Sequence, residues 1–116
     1  MLQRPRRSSK TAALQNCAPV FAALGDVTRL RLVAALCVGG AMSITQLTAH
    51  SDLTRQAVTK HLAVLAGAGL ARHTKVGRER LWELEPTQLE EARHSLEVIG
   101  SQWDHALGRL KLAVER

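Results

Sequence analysis

Apolar residues change their spacing along the chain, and each change marks an element. Residues 11–24 are rich in Ala and Leu and predict a helix. Pro19 should start or kink it there, because proline removes a backbone donor. Gly25-Asp26 then breaks the chain, and Asp26 is suited to cap a helix running to about Val38. Within that helix Leu30, Val33, Ala34 and Cys37 recur at three- and four-residue spacing, predicting one buried stripe that ends at Gly39-Gly40. Ser43-Ile44-Thr45-Gln46 matches a capping box and opens a short helix to about His50. Ser51-Asp52-Leu53 is a brief turn. Thr54 caps the next helix, which runs through Ala66 and stops at Gly67-Ala68-Gly69.

The spacing shortens after Leu70. Trp82 and Leu84 alternate against Glu83 and Glu85, so residues 70–85 predict a β-hairpin with Gly77 near its tip. Thr87-x-x-Glu90 matches a second capping box, at the start of a long last helix over about 87–114. Leu89, Ala92, Leu96, Ile99, Trp103, Leu107, Leu110 and Val114 form a nearly continuous apolar stripe along it. Two helices joined by a short turn are the pattern of a helix-turn-helix. The expected fold is therefore mainly α with a small β-hairpin, a winged helix-turn-helix in the order α-α-α-α-β-β-α. Residues 1–10, with Pro5, two serines and four positive charges, predict a flexible basic arm ahead of one domain over 11–116.

Composition agrees with a single small domain. The chain has 116 residues, of which 46% are hydrophobic and only Phe21, Trp82 and Trp103 aromatic. Charge is unevenly spread. Twelve Lys and Arg face three acids up to residue 81, a net +9; beyond it four face seven, a net −3. A basic body with a mildly acidic tail points to a polyanionic partner for the first part. Two cysteines make no disulfide framework, and no apolar run approaches the ~20 residues that cross a bilayer. A cytoplasmic protein with reduced thiols is expected.

The predicted helix over 54–66 carries the functional signal. Placed on a wheel of ~100° per residue, Val58, His61, Leu62 and Leu65 fall on one side. Arg55, Gln56, Thr59, Lys60 and Ala63 fall on the other, a polar and basic face without an acid. An α-helix fits the major groove of B-DNA. Arg55 can donate twice to guanine, Gln56 can pair with adenine, and Lys60 can reach guanine or phosphate. Thr54 and Thr59 suit phosphate contacts. The hairpin adds Lys75, Arg78 and Arg80 around Gly77, a wing able to touch backbone or minor groove. An ordinary solvated face is the competing reading for both elements.

Three blocks resemble successive signatures of ArsR-type winged-helix repressors. They are Phe21-Ala-Ala-Leu-Gly-Asp-Val-Thr-Arg-Leu-Arg-Leu, the run from Leu53 to Leu70, and Gly77-Arg-Glu-Arg-Leu-Trp-Glu-Leu84. Val27 stands where the family usually has proline. The resemblance spans about residues 18–114. It implies a homodimer built from first and last helices, with the 54–66 helix reading double-stranded DNA. Many relatives sense metals, but their ligand positions are not filled here. Ser43 to Gln46 lacks the thiolates of one family site, and the second site falls on Pro86, Gln88, Ile99 and Gln102. His94 and His105 have a tempting spacing, yet Ala92 and Gly108 complete no ligand set, so no metal and no cofactor is expected. Trp103-x-x-Ala-Leu-x-x-Leu resembles the subgroup that lacks the usual ligands.

No nucleophile–base pair, phosphate loop or carboxylate dyad rises above chance, so neither enzyme activity nor catalytic residues are expected. The expectation is a sequence-specific transcriptional regulator, a repressor on an inverted repeat, without a membrane partner and with its effector unidentified. Leu96, Ile99, Trp103, Leu107 and Leu110 are the expected dimer contacts. Alternatives are a winged-helix module that binds protein, or a thiol- or metal-responsive repressor. Cys37 is expected to be an inert core residue, and a dithiol switch with Cys17 ranks below repression that is constitutive or answers an unidentified signal.

Overall fold

The computed structural model describes residues 7–49 and 51–115. Helices α1 (Arg7–Asn16), α2 (Ala18–Leu24) and α3 (Val27–Gly39) are followed by a two-residue strand β1 (Met42–Ser43). Then come α4 (Ile44–Ala49), α5 (Arg55–Gly67), β2 (Ala71–Val76), β3 (Glu79–Leu84) and α6 (Pro86–Glu115). The architecture is the expected winged helix-turn-helix, with two additions. The helix predicted over 11–24 is broken at Cys17 into α1 and α2, with proline in the first turn of α2. The hairpin gains β1 as a third strand, giving the antiparallel order β1-β3-β2. Of the stretch read as a basic arm, residues 1–6 lie outside the described residues, and α1 begins at Arg7.

Local chemistry sets most boundaries. The Asp26 carboxylate accepts from the Arg29 amide at 3.0 Å and starts α3. Ser43 and Gln46 form a reciprocal capping box. The Gln46 amide donates to Ser43 Oγ at 3.1 Å, and the Ser43 amide donates to Gln46 Oε1 at 2.9 Å. Thr54 Oγ1 accepts from the Ala57 amide at 3.1 Å and starts α5. That helix ends in a Schellman motif: Leu70 N–H donates to the Leu65 carbonyl and Gly69 N–H to that of Ala66. Gly69 takes the left-handed φ of +77° that this motif requires.

The expected capping box of Thr87 and Glu90 does not form. Pro86 opens α6, and the preceding Glu85 carboxylate accepts from the Thr87 hydroxyl at 3.0 Å and from its amide at 3.4 Å. These two bonds hold the Glu85 carboxyl below its ordinary range, with Arg72 assisting. Glu90 turns instead to Arg93 on the helix surface.

The core joins Val20, Leu32, Leu36, Leu47, Val58, Leu62, Leu65, Leu70 and Trp82. The stripe of α3 differs from expectation. Leu32 and Leu36 are its buried residues, Leu30 is half exposed, and Cys37 is exposed. Cys17 is the buried thiol, its Sγ 3.5 Å from Ser95 Oγ of α6. The physical reason is degeneracy: apolar residues fill nearly every position from Leu30 to Val38, so packing rather than period selects the inward face. Only Ala92 and Ser95 of α6 are buried, and its 30 residues extend about 45 Å.

Candidate nucleic-acid interface

α5 is anchored by Val58, Leu62 and Leu65, none of which retains measurable exposure. With these side chains fixed inward, the 3.6-residue repeat turns Gln56, Thr59, Lys60 and Ala63 outward, and all four are exposed. Arg55 departs from the expected face: seven residues before Leu62, it falls near the apolar side of the wheel and is exposed because it is the first residue of α5. α4 packs across α5 and supports it from the other side of the turn. Ion pairs within the described residues do not reach Arg55 or Lys60, so this face keeps its positive charge.

Two hydroxyls on this face have partners inside the protein. Thr59 Oγ1 donates to the Arg55 carbonyl at 2.8 Å. Thr54 Oγ1 accepts from its cap amide, which leaves its own proton free to donate outward. Arg55 is guided by a residue not anticipated from sequence: its Nη1 donates to Thr45 Oγ1 of α4 at 2.9 Å. The two positions lie ten residues apart across a turn, and no helical period links them.

His61 sits at the inner edge of α5, with a quarter of its side chain exposed. Its Nδ1 lies 3.5 Å from Arg29 Nη1 and 3.9 Å from the Asp26 carboxylate. Arg29 in turn donates through Nε to the Ala23 carbonyl at 2.6 Å. This cluster ties the α2–α3 corner to α5. The Asp26 carboxyl is held below its ordinary value of 3.8, chiefly by the Arg29 amide that it caps.

The wing is the β2–β3 hairpin. Val76 pairs with Glu79, leaving Gly77 and Arg78 as a two-residue turn. Gly77 has a φ of +64° and Arg78 does not have a positive φ, the pattern of a type II′ turn. Lys75 and Arg80 are cross-strand partners, and like charges facing each other destabilise a ladder unless an anion lies between them. Lys75, Arg78 and Arg80 are all exposed. Arg72, at the base, is committed elsewhere: it pairs with Glu83 at 3.0 Å and Glu85 at 2.6 Å.

The structure therefore leaves the expected groove-reading residues exposed on α5 and the wing residues on one hairpin. The expected dimer contacts Leu96, Ile99, Trp103, Leu107 and Leu110 are all exposed along α6. Among the described residues no group of three or more His, Cys, Asp or Glu side chains is arranged to hold a metal ion. No helix of the described residues is long and apolar enough to cross a membrane.

Residues 24–74 match a family described as a helix-turn-helix domain. The chain is 41% identical over 70 residues to the HTH-type transcriptional regulator CmtR of Mycobacterium tuberculosis, covering 60% of this chain and 58% of that protein. The match thus spans under two thirds of that relative. A longer match, 34% identical, joins it to the HTH-type transcriptional regulator Rv2034 of the same species, over 73% of this chain and 76% of the relative. Among solved structures, an ArsR-like transcriptional regulator from Rhodococcus sp. RHA1 superposes with a TM-score of 0.72. It is 36% identical over 84% of this chain and 92% of its own.

Proposed function

Because this chain belongs to the ArsR family of winged helix-turn-helix transcriptional regulators, we propose that it binds double-stranded DNA sequence-specifically as a homodimer and represses transcription. The carrying observation is the division of α5: Val58, Leu62 and Leu65 are buried, while Arg55, Gln56, Thr59 and Lys60 project outward without an acid among them. Such a helix enters a major groove with its N-terminal residues at the base edges. Arg55 and Gln56 read bases, Thr54 and Lys60 hold phosphates, and Thr59 joins them by turning its hydroxyl away from the Arg55 carbonyl. Lys75, Arg78 and Arg80 of the wing follow the adjacent backbone or minor groove.

The dimer contact is the outer stripe of α6. Leu96, Ile99, Trp103, Leu107 and Leu110 line one helix, and all five are exposed. Such a stripe gains by pairing with its two-fold copy together with α1. The operator is then an imperfect inverted repeat, its half-sites about one helical turn apart. Occupancy there blocks polymerase. The protein acts in the cytoplasm, as its partner requires, and carries out no catalysis.

Selection from a random duplex library tests this reading. The expected product is an inverted repeat whose affinity falls steeply with salt, because Lys and Arg release counterions from phosphate. Recovery of no motif, or binding indifferent to salt, would overturn it. A module that binds protein through α5 would give that second result.

A further inference from the structure

α3 packs against α5 and β3, while α4 packs against α5 and the sheet. The two helices share those neighbours more than they touch each other, and a cleft of about 670 Å³ opens between them. Leu32, Ala35, Met42, Leu47 and Leu53 give it an apolar lining. Its volume falls within the range of small-molecule sites, and it is an open cleft rather than an enclosed cavity. Met42 supplies an adaptable wall.

The cleft is polar in two places, at Thr28 and Arg31 on α3 and at Ser51 and Asp52 on the α4–α5 turn. Thr28 and Arg31 both line it, one helical turn apart, so a hydroxyl and a guanidinium can meet the same anion. Arg31 is exposed and has no ion pair among the described residues. Asp52, on the α4–α5 turn, is the acid in the lining and opposes negative charge, so the only anionic group the cleft accommodates is one held by Arg31 and Thr28. We infer that this cleft binds a small amphipathic monocarboxylate, with its apolar body between α3 and α4 and its carboxylate on Arg31 and Thr28.

The cleft also reaches Ser51, Asp52 and Leu53, the turn that immediately precedes Thr54 and Arg55. A molecule seated there touches the segment that sets α5 against α4, so its occupancy alters operator affinity. That coupling rests on the DNA-binding reading proposed above; the site itself does not.

Methyl-labelled protein titrated with octanoate, without DNA, tests the site. Saturable shifts at the Met42, Ala35 and Leu53 methyls are expected. Octanamide, of the same body without the charge, should bind about fivefold more weakly. Arg31→Gln should make the two probes equal, and Ala35→Leu should abolish binding by filling the cleft. Should Ala35→Leu fail to fold, Arg31→Gln, at an exposed position, still decides the matter. Shifts confined to Leu96–Leu110 of α6, equal binding of octanoate and octanamide by the native protein, or no saturation by about 10 mM would overturn the site. Failure of this titration is distinct from failure of operator binding, which is measured with DNA and without octanoate.

Discussion

Replacing Trp103 with Ala probes the dimer while sparing the monomer. Trp103 lies on α6 beyond Ser95, the last buried residue of that helix, and is itself 64% exposed in the single chain. A Trp side chain can bury about 200 Å², so about 130 Å² remains to be covered by a partner. If half of that is covered in the dimer, at ~25 cal/mol per Å², each copy contributes about 1.5 kcal/mol. The two-fold axis counts the substitution twice, giving about 3 kcal/mol and a rise of about a hundredfold in the dimer dissociation constant. Sedimentation equilibrium over a dilution series reads that constant directly. Thermal unfolding at a concentration where both proteins are monomeric should be unchanged. A native chain that is monomeric at micromolar concentration, or a dissociation constant unmoved by Trp103→Ala, would refute the reasoning.

Arg55→Ala should cost about 1–3 kcal/mol of operator affinity and relax selection at one base position, measured by anisotropy against single-base variants. Arg78→Ala should instead weaken all duplexes alike and lower the salt slope by about one, since its partner is phosphate or groove rather than a base pattern. Ser43→Ala removes one acceptor of the capping box and should cost about 1 kcal/mol of stability in urea unfolding. The depressed Asp26 carboxyl stabilises the fold above its unfolded value of 3.8, and that contribution is lost as pH falls through the lower folded value. Native protein should therefore lose Tm below about pH 4 more steeply than Asp26→Asn, whose amide caps α3 without titrating.

The caps at Asp26, Ser43 and Thr54 were legible in the sequence because donor and acceptor lie within three residues, so local spacing defines them. The split of α5 was legible at most positions, since Gln56, Thr59 and Lys60 lie away from Val58, Leu62 and Leu65 on the wheel, but not at Arg55, whose exposure comes from its place at the start of the helix. α3 offered no such contrast. From Leu30 to Val38 only Arg31 is polar, and the buried set was decided by what α5 and β3 present to it. Strand β1 is two residues long, too short to carry a period, and exists through its pairing of Met42 with Trp82 and Ser43 with Leu81. Thr87 and Glu90 match a capping pattern, but Glu85 reaches the Thr87 amide first. The hydrogen bond of Thr45 to Arg55 depends on how α4 crosses α5, a tertiary angle that no short motif encodes.

Backbone amide shift mapping of isotope-labelled protein against its selected operator reaches the core of this account. The largest perturbations should fall on Arg55 to Lys60 and on the Gly77-Arg78 turn. A map centred on α3 or α6, with α5 silent, would contradict it.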